Sequence, residues 1–225
     1  MMEDVVKTPW DQRVFGFDTY EIRRVSEDIL SSLDQINGHF TVKVSPLDSK
    51  ALLHRHGFYY CDTLIEPYGT SSCFCPFFEP GISISDNIDL EELVPMCFNA
   101  FRFDRFHRDF HIDPNQADQR YANWLRDIHR YGHVFALRLG QTTAGFFACV
   151  DERILLHALH EDFRGKGLAK YFWSAACQYL FSLGCKELVS SISAANVAIM
   201  NVYHRLGFSF RNPVDIYHKV NHKHL

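Results

Sequence analysis

From residue 88 onward the apolar positions of the chain alternate between a period of about 3.6 and a period of about 2, and the switches lay out an order of elements. Leu90, Leu93, Val94, Cys97, Phe98 and Phe101 share one helical face, with Asp89 and Glu92 spaced as a capping box and Pro95 predicting a kink. Ala117, Tyr121, Trp124, Leu125 and Ile128 line a second helix whose arginines, Arg120, Arg126 and Arg130, turn elsewhere. Three strand-like runs follow at 134–139, 143–150 and 154–160, separated by the turn pairs Gly140-Gln141 and Asp151-Glu152. Leu168, Phe172, Ala176, Tyr179 and Leu183 trace a long helix that Gly184 can end. A strand at 187–192, a helix at 196–205 and strands at 208–210 and 214–220 complete the pattern. Helix, helix, three strands, helix, strand, helix, strand predicts an α/β (α+β) fold: a mixed, mostly antiparallel central sheet flanked by helices.

The first half reads less regularly. Residues 39–44 and 58–65 are strand-like and 49–56 helical, while 68–87, rich in Ser, Gly and Pro, has no lasting period and reads as a connection. The expected division is a smaller domain over 1–80 and a main domain over 81–225. A faint echo links them, His54-Arg-His-Gly-Phe58 against His204-Arg-Leu-Gly-Phe208, though a tight Gly-Phe turn from helix to strand explains either copy alone.

Composition narrows the class. With 47% hydrophobic and 22% charged residues in 225, the chain is an ordinary globular sequence able to bury a core. No run approaches a bilayer span and the first residues lack an apolar secretion core, so the expected location is the cytoplasm, with no membrane partner. A net charge of -4 argues against a nucleic-acid surface. Seven cysteines are scattered without a CxxC pair, and Cys73-Phe-Cys75 lacks a second ligand pair, so no metal is expected. The thirteen histidines are dispersed and read mostly as surface or structural residues.

Chemistry concentrates where the run at 154–160 enters a loop containing Gly165 and Gly167 and a long helix starts at once. Glycines let a backbone approach a ligand, and a new helix offers unpaired N–H groups and a positive dipole end, which together suit a pyrophosphate. Arg164 and Lys166 add charge at the rim. The spacing is neither a Walker loop nor a GxGxxG fingerprint. Downstream, Asn196 and Tyr203 are seven residues apart, two helical turns, and so share a face. A buried tyrosine and a helix-capping asparagine would explain that pair without chemistry.

Arg164-Gly-Lys-Gly167-Leu-Ala169, after a strand and before a helix, resembles the Arg/Gln-x-x-Gly-x-Gly/Ala signature of the GNAT acetyltransferase superfamily. The resemblance implies an N-acetyltransferase using acetyl-coenzyme A as cosubstrate. Backbone groups of Arg164, Gly165, Lys166, Gly167, Leu168 and Ala169 would hold its pyrophosphate. Ala158, Leu159 and His160 would line up with pantetheine, Leu159 nearest the thioester. It also implies that Asn196 contacts pantetheine and that Tyr203 protonates the departing thiolate, a role suited to a phenol protonated at neutral pH. The echo carries Pro46 and Leu53 in the places of Asn196 and Tyr203 and lacks the glycine loop, so the first domain is expected to be a degenerate, partial GNAT-like module. His157 and His160 alternate on the central strand, and either is a candidate base; an amine arriving deprotonated needs none.

The segment 100–114 is dense in aromatics and arginines; Arg102, Arg105 and Arg108 could pair with a phosphate, and Phe103 or Phe106 could stack on a base or sugar. A solvated basic loop with core phenylalanines is the bland alternative. Arg105-Phe106, Tyr121-Ala-Asn-Trp124-Leu and Val14-Phe-Gly16-Phe resemble the bacterial dTDP-fucosamine acetyltransferases, which implies a dTDP-4-amino-4,6-dideoxyhexose acceptor with Arg102, Arg105 and Phe106 as its site. Competing readings are a GNAT enzyme for another small-molecule amine (peptide N terminus, polyamine, antibiotic) and a non-catalytic acyl-coenzyme A-binding protein. A homodimer is compatible with all three.

Overall fold

The computed structural model describes residues 2–221. In chain order the elements are β1 (Val5–Lys7), α1 (Pro9–Phe15), β2 (Thr19–Ile22), α2 (Glu27–Ser32), β3 (Gly38–Val44), α3 (Ala51–Arg55), β4 (Tyr59–Thr70), β5 (Ile82–Ser85), α4 (Leu90–Leu93), α5 (Pro114–Tyr131), β6 (His133–Leu139), β7 (Thr142–Val150), β8 (Arg153–Leu159), α6 (Ala169–Ser182), β9 (Glu187–Val189), β10 (Ile192–Ser193), α7 (Val197–Arg205) and β11 (Ser209–Asn221). The described residues fall into two compact units: 2–64, 102–120 and 213–221 form one, and 65–101 and 121–212 the other.

The division differs from a single cut at residue 80. The last strand explains part of the difference: Asp215 to Asn221 of β11 pair antiparallel with β3, so these residues belong to the first unit. The segment 102–120 joins it through Asp109, whose carboxylate meets His39 and His218. In this unit β1 pairs antiparallel with β2, β2 parallel with β3, and β3 antiparallel with β11. One face packs Phe40, Val42 and Tyr217 against Ile29, Leu30 and Leu33 around α2 and Leu53 of α3. A smaller cluster gathers Phe15, Phe106, Ile112 and Ala117.

In the second unit β5, β6, β7 and β8 form an antiparallel meander. Their alternation sends Leu137, Phe147 and Leu159 to one face, which Ala144 joins at the bulge that shifts the β6–β7 register, against Phe172, Trp173, Ala176, Ile199 and Tyr203 of α6 and α7. Ala136, Phe146, Ala148, Leu156 and Ala158 face the other way, against Leu93, Tyr121, Leu125 and Ile128 of α4 and α5. At the far side β8 meets β9 in parallel, and β9 pairs antiparallel with the end of β4.

Four elements depart from the sequence pattern. The strand expected at 187–192 is split into β9 and β10. The helix expected to reach Phe101 is a four-residue α-helix followed by a 3-10 turn over Val94–Cys97, because Pro95 has no N–H to continue the ladder. The connection at 68–87 contains strand β5, paired to β6. The two strands expected near the end are one, β11, which passes through Asn212 at φ 53°.

Candidate active site

Strand β8 sets the geometry. It pairs with β7 through Leu159, but with β9 only at Arg153↔Val189. Beyond that point the two parallel strands diverge. The His160 N–H donates to the Ala144 carbonyl at 2.8 Å, which fixes the phase of the antiparallel ladder. Alternation then directs the main-chain groups of Ala158 toward β7 and those of His157 and Leu159 toward the diverging edge. The Leu159 carbonyl is met there by Arg164 Nε at 2.8 Å.

Arg164 therefore pins the loop. Its Nε holds Leu159 and its Nη1 donates to the Asn99 carbonyl at 3.0 Å, so its guanidinium is committed to main chain rather than standing at the rim. His160 accepts from the Asp162 N–H through Nδ1 at 3.3 Å and starts a 3-10 turn. Gly165 and Gly167 both adopt φ 72°, and a Cβ added at either would meet nothing within 4 Å, so the turn borders open space. Lys166 is exposed between them. Leu168 is the N-cap of α6 with no side-chain cap, and Ala169 begins the helix, so the first N–H groups of α6 lie beside the loop. A cleft of about 540 Å³ flanks the loop's start, lined among others by Glu92, Asn99, Thr143, His160, Glu161 and Arg164. Phosphate oxygens and an extended acyl-pantetheine chain are the chemistry this edge and loop fit.

Tyr203 is fully buried on α7, packed on Phe208 at 5.1 Å between ring centroids, and its hydroxyl lies 3.0 Å from His157 Nε2. The Ser190 hydroxyl, just past β9, donates to the Ile154 carbonyl at 3.0 Å, and its side chain works on the Tyr203 phenol against the upward shift that burial causes. The Tyr203 hydroxyl thus lies between β8 and the chain leaving β9, where the strands part. Burial raises its pKa, so the phenol is protonated at neutral pH; burial also pushes His157 down to about 4, leaving a neutral imidazole. Asn196 caps α7, its side-chain oxygen accepting from the Ile199 N–H at 3.2 Å. Sequence reasoning named His157 only as an alternative base and missed Ser190 altogether; neither stands in a motif, and only the parting of β8 from β9 brings them to Tyr203.

The segment 102–113 belongs to the first unit. Phe106 is 2% exposed, with the guanidinium groups of Arg105 and Arg120 at 4.5 and 4.6 Å from its ring centroid. Its ring is filled core and is not presented for stacking on a sugar or base. Arg105 has its Nε buried, so much of its guanidinium serves that packing, whereas Arg102 is exposed.

A mixed sheet between helical layers, with a parting of parallel strands beside a glycine loop and helix start, defines the acetyltransferase class. The model of the GNAT acetyltransferase family matches residues 95–208, and the chain belongs to that family. It is a GNAT N-acetyltransferase, of a family that uses acetyl-coenzyme A as cosubstrate and acts on small-molecule acceptors. Among solved structures, a GCN5-related N-acetyltransferase from Sphaerobacter thermophilus matches 96% of this chain and 75% of its own at 12% identity, TM-score 0.64. A GCN5-related N-acetyltransferase from Kribbella flavida matches 90% and 81% at 12% identity, TM-score 0.59. A tandem GNAT protein from the clavulanic acid biosynthesis pathway matches 90% and 75% at 12% identity, TM-score 0.57. Compared with curated protein sequences, the chain has no match. No helix among the described residues is long and apolar enough to cross a membrane.

Proposed function

We propose that the chain transfers acetyl from acetyl-coenzyme A to a primary amine by direct attack of the neutral amine on the thioester, at the edge of β8 where β9 parts from it. That parting, confined by a single paired position, is the observation that carries the reading. Gly165, Lys166, Gly167, Leu168 and Ala169 would receive the pyrophosphate on backbone N–H groups at the start of α6, with Lys166 adding charge. Arg164 holds the loop in shape. Ala158, Leu159 and His160 form the stretch beside pantetheine, and the Leu159 N–H, directed to the open edge, would stabilise negative charge developing on the thioester oxygen. Tyr203 would give its proton to the departing thiolate, with His157 and Ser190 orienting the hydroxyl. Asn196 contributes by fixing the first turn of α7 and has its amide NH₂ left for pantetheine.

For the acceptor, the sequence resemblance supports a nucleotide-linked amino sugar, with Arg102 as a phosphate partner. The cleft beside the loop favours a second reading: Glu92, Glu161 and Asp162 outnumber Arg164 among its charged lining residues, which suits a cationic amine. The first unit is read as a degenerate GNAT-like module, supported by the match of a tandem GNAT protein over 90% of the chain. The test is acetyl-coenzyme A turnover, followed by thiol release, over a panel of nucleotide-linked amino sugars, polyamines, aminoglycosides and peptide N termini. Turnover with one amine class and none with its N-acetylated form is expected. Binding of coenzyme A without thiol release for any amine would support a non-catalytic acyl-coenzyme A-binding protein instead.

A further inference from the structure

The first unit holds a buried group that acetyl transfer does not use. His39 lies on β3 and His218 on β11; the register sets His218 opposite Thr41 and Val220 opposite His39, so the two histidines project from the same face two residues apart along the ladder. Asp109 descends onto that face from the segment 102–113. Its Oδ1 accepts from the His111 N–H at 2.9 Å and the Tyr59 hydroxyl at 3.0 Å. Its Oδ2 is turned to the two imidazoles, 2.9 Å from His39 Nε2 and 2.7 Å from His218 Nδ1. The three residues are 1%, 2% and 0% exposed, and Phe106 flanks both rings.

We propose that His39, Asp109 and His218 bind a divalent transition-metal ion, zinc above others, as a structural centre of the first unit. One ligand atom from each lies within 4.8 Å of the other two. Donors bound to one zinc at about 2.0–2.1 Å stand roughly 2.9 Å apart across a right angle and roughly 3.3 Å across a tetrahedral one, so the measured 2.9 and 2.7 Å sit at and just below the short end of that range. The same distances suit N–H donation to a carboxylate. Two features favour the ion. Oδ1 is already held by Tyr59 and His111, the outer-shell support that orients a ligating carboxylate. Two imidazoles converge on Oδ2, which the Tyr59 hydroxyl also reaches at 3.1 Å, and burying two imidazoles and a carboxylate together without an ion is a poor exchange against apolar packing. A set of two imidazole nitrogens and one carboxylate oxygen selects zinc and its neighbours over calcium or magnesium. Bound, each ring carries its hydrogen on its other nitrogen. The ion would tie β3, β11 and the 102–113 segment together, positions too far apart in sequence to form a spaced motif.

The experiment uses the full chain. Metal content after expression in zinc-supplemented medium should approach about one zinc per chain, and chelator-stripped protein should gain thermal stability on adding zinc but not magnesium. Cobalt-substituted protein should show ligand-field absorption that His218→Gln and His39→Gln abolish. If either variant fails to fold, the wild-type metal content and zinc-dependent midpoint still decide. Protein free of metal, with the same midpoint with and without zinc, overturns the proposal and leaves Asp109 a hydrogen-bonded anchor. Cobalt absorption that persists in a folded His218→Gln protein overturns it equally, by placing the ion elsewhere.

Discussion

At the scale of single residues, the proposed chemistry turns on a hydroxyl that is enclosed and protonated. Tyr203→Phe removes only the oxygen and keeps the packing on Phe208, so coenzyme A affinity should be preserved while the chemical step loses about 10²–10⁴-fold, the usual share of a positioned acid. Single-turnover acetyl transfer checks this, and an undiminished rate would remove Tyr203 from the mechanism. Its neighbour His157 makes a separate prediction. The folded pKa near 4 lies below the free value of about 6.5, so between those values the unfolded chain binds more protons than the folded one. Stability from this group is therefore fully present above about pH 6.5 and is lost as pH falls toward 4. Denaturant unfolding across that window should show a weaker pH dependence in His157→Gln than in wild type; identical slopes would mean that His157 is not held neutral. The spacing of Asn196 and Tyr203 on one helix was legible in the sequence, and so was the plainer account of each. The structure supports the capping role of Asn196 and the buried packing of Tyr203, and adds the hydrogen bond to His157, which no local pattern encodes because its two ends are 46 residues apart.

At the scale of elements, the close approach of β7 to β8 is where sequence and site are most tightly coupled. A Cβ added to Gly145 would stand 2.2 Å from the Ala158 carbonyl oxygen and 3.0 Å from Leu159 Cα, both backbone atoms that cannot swing aside. Gly145→Ala should cost about 1–3 kcal/mol by overpacking and displace the strand that carries Leu159. Thermal unfolding together with coenzyme A titration measures both effects, and a variant as stable and as tight-binding as wild type would contradict this reading of the pair. Elements with a sustained period were the legible ones: the β6–β8 meander, α5 and α6 fall within a residue or three of their expected bounds. Short or interrupted elements were not. β5 has four residues, too few for alternation to stand out in a Ser- and Pro-rich stretch, and Pro95 ends the α-helical run sooner than its apolar face suggests. The echo also has a physical content. Phe58 N–H bonds the Leu53 carbonyl and Phe208 N–H bonds the Tyr203 carbonyl, each at 3.0 Å, so both copies end a helix with the same 6→1 closure.

At the scale of the whole molecule, the chain's two units are built from interleaved segments, and a linear division could not anticipate that. The pattern marked a connection near residue 80, but strand pairing of β11 with β3 and the burial of Asp109 among residues 39, 59 and 218 decide membership, and pairing partners are not written in local periodicity. The reverse holds for the second unit, whose family was legible because its loop, strand and helix are consecutive. Residues 164–169 beside the parted edge of β8 are proposed to hold the cosubstrate. Calorimetric titration of coenzyme A into wild type and Gly167→Val tests it most directly, since a branched residue is strained at φ 72° and its side chain enters the open space beside the loop. Saturable binding to wild type is expected, with a loss of at least about tenfold in affinity for a Gly167→Val protein that remains folded, the equivalent of about 1.4 kcal/mol. Unchanged affinity in that folded variant would contradict it.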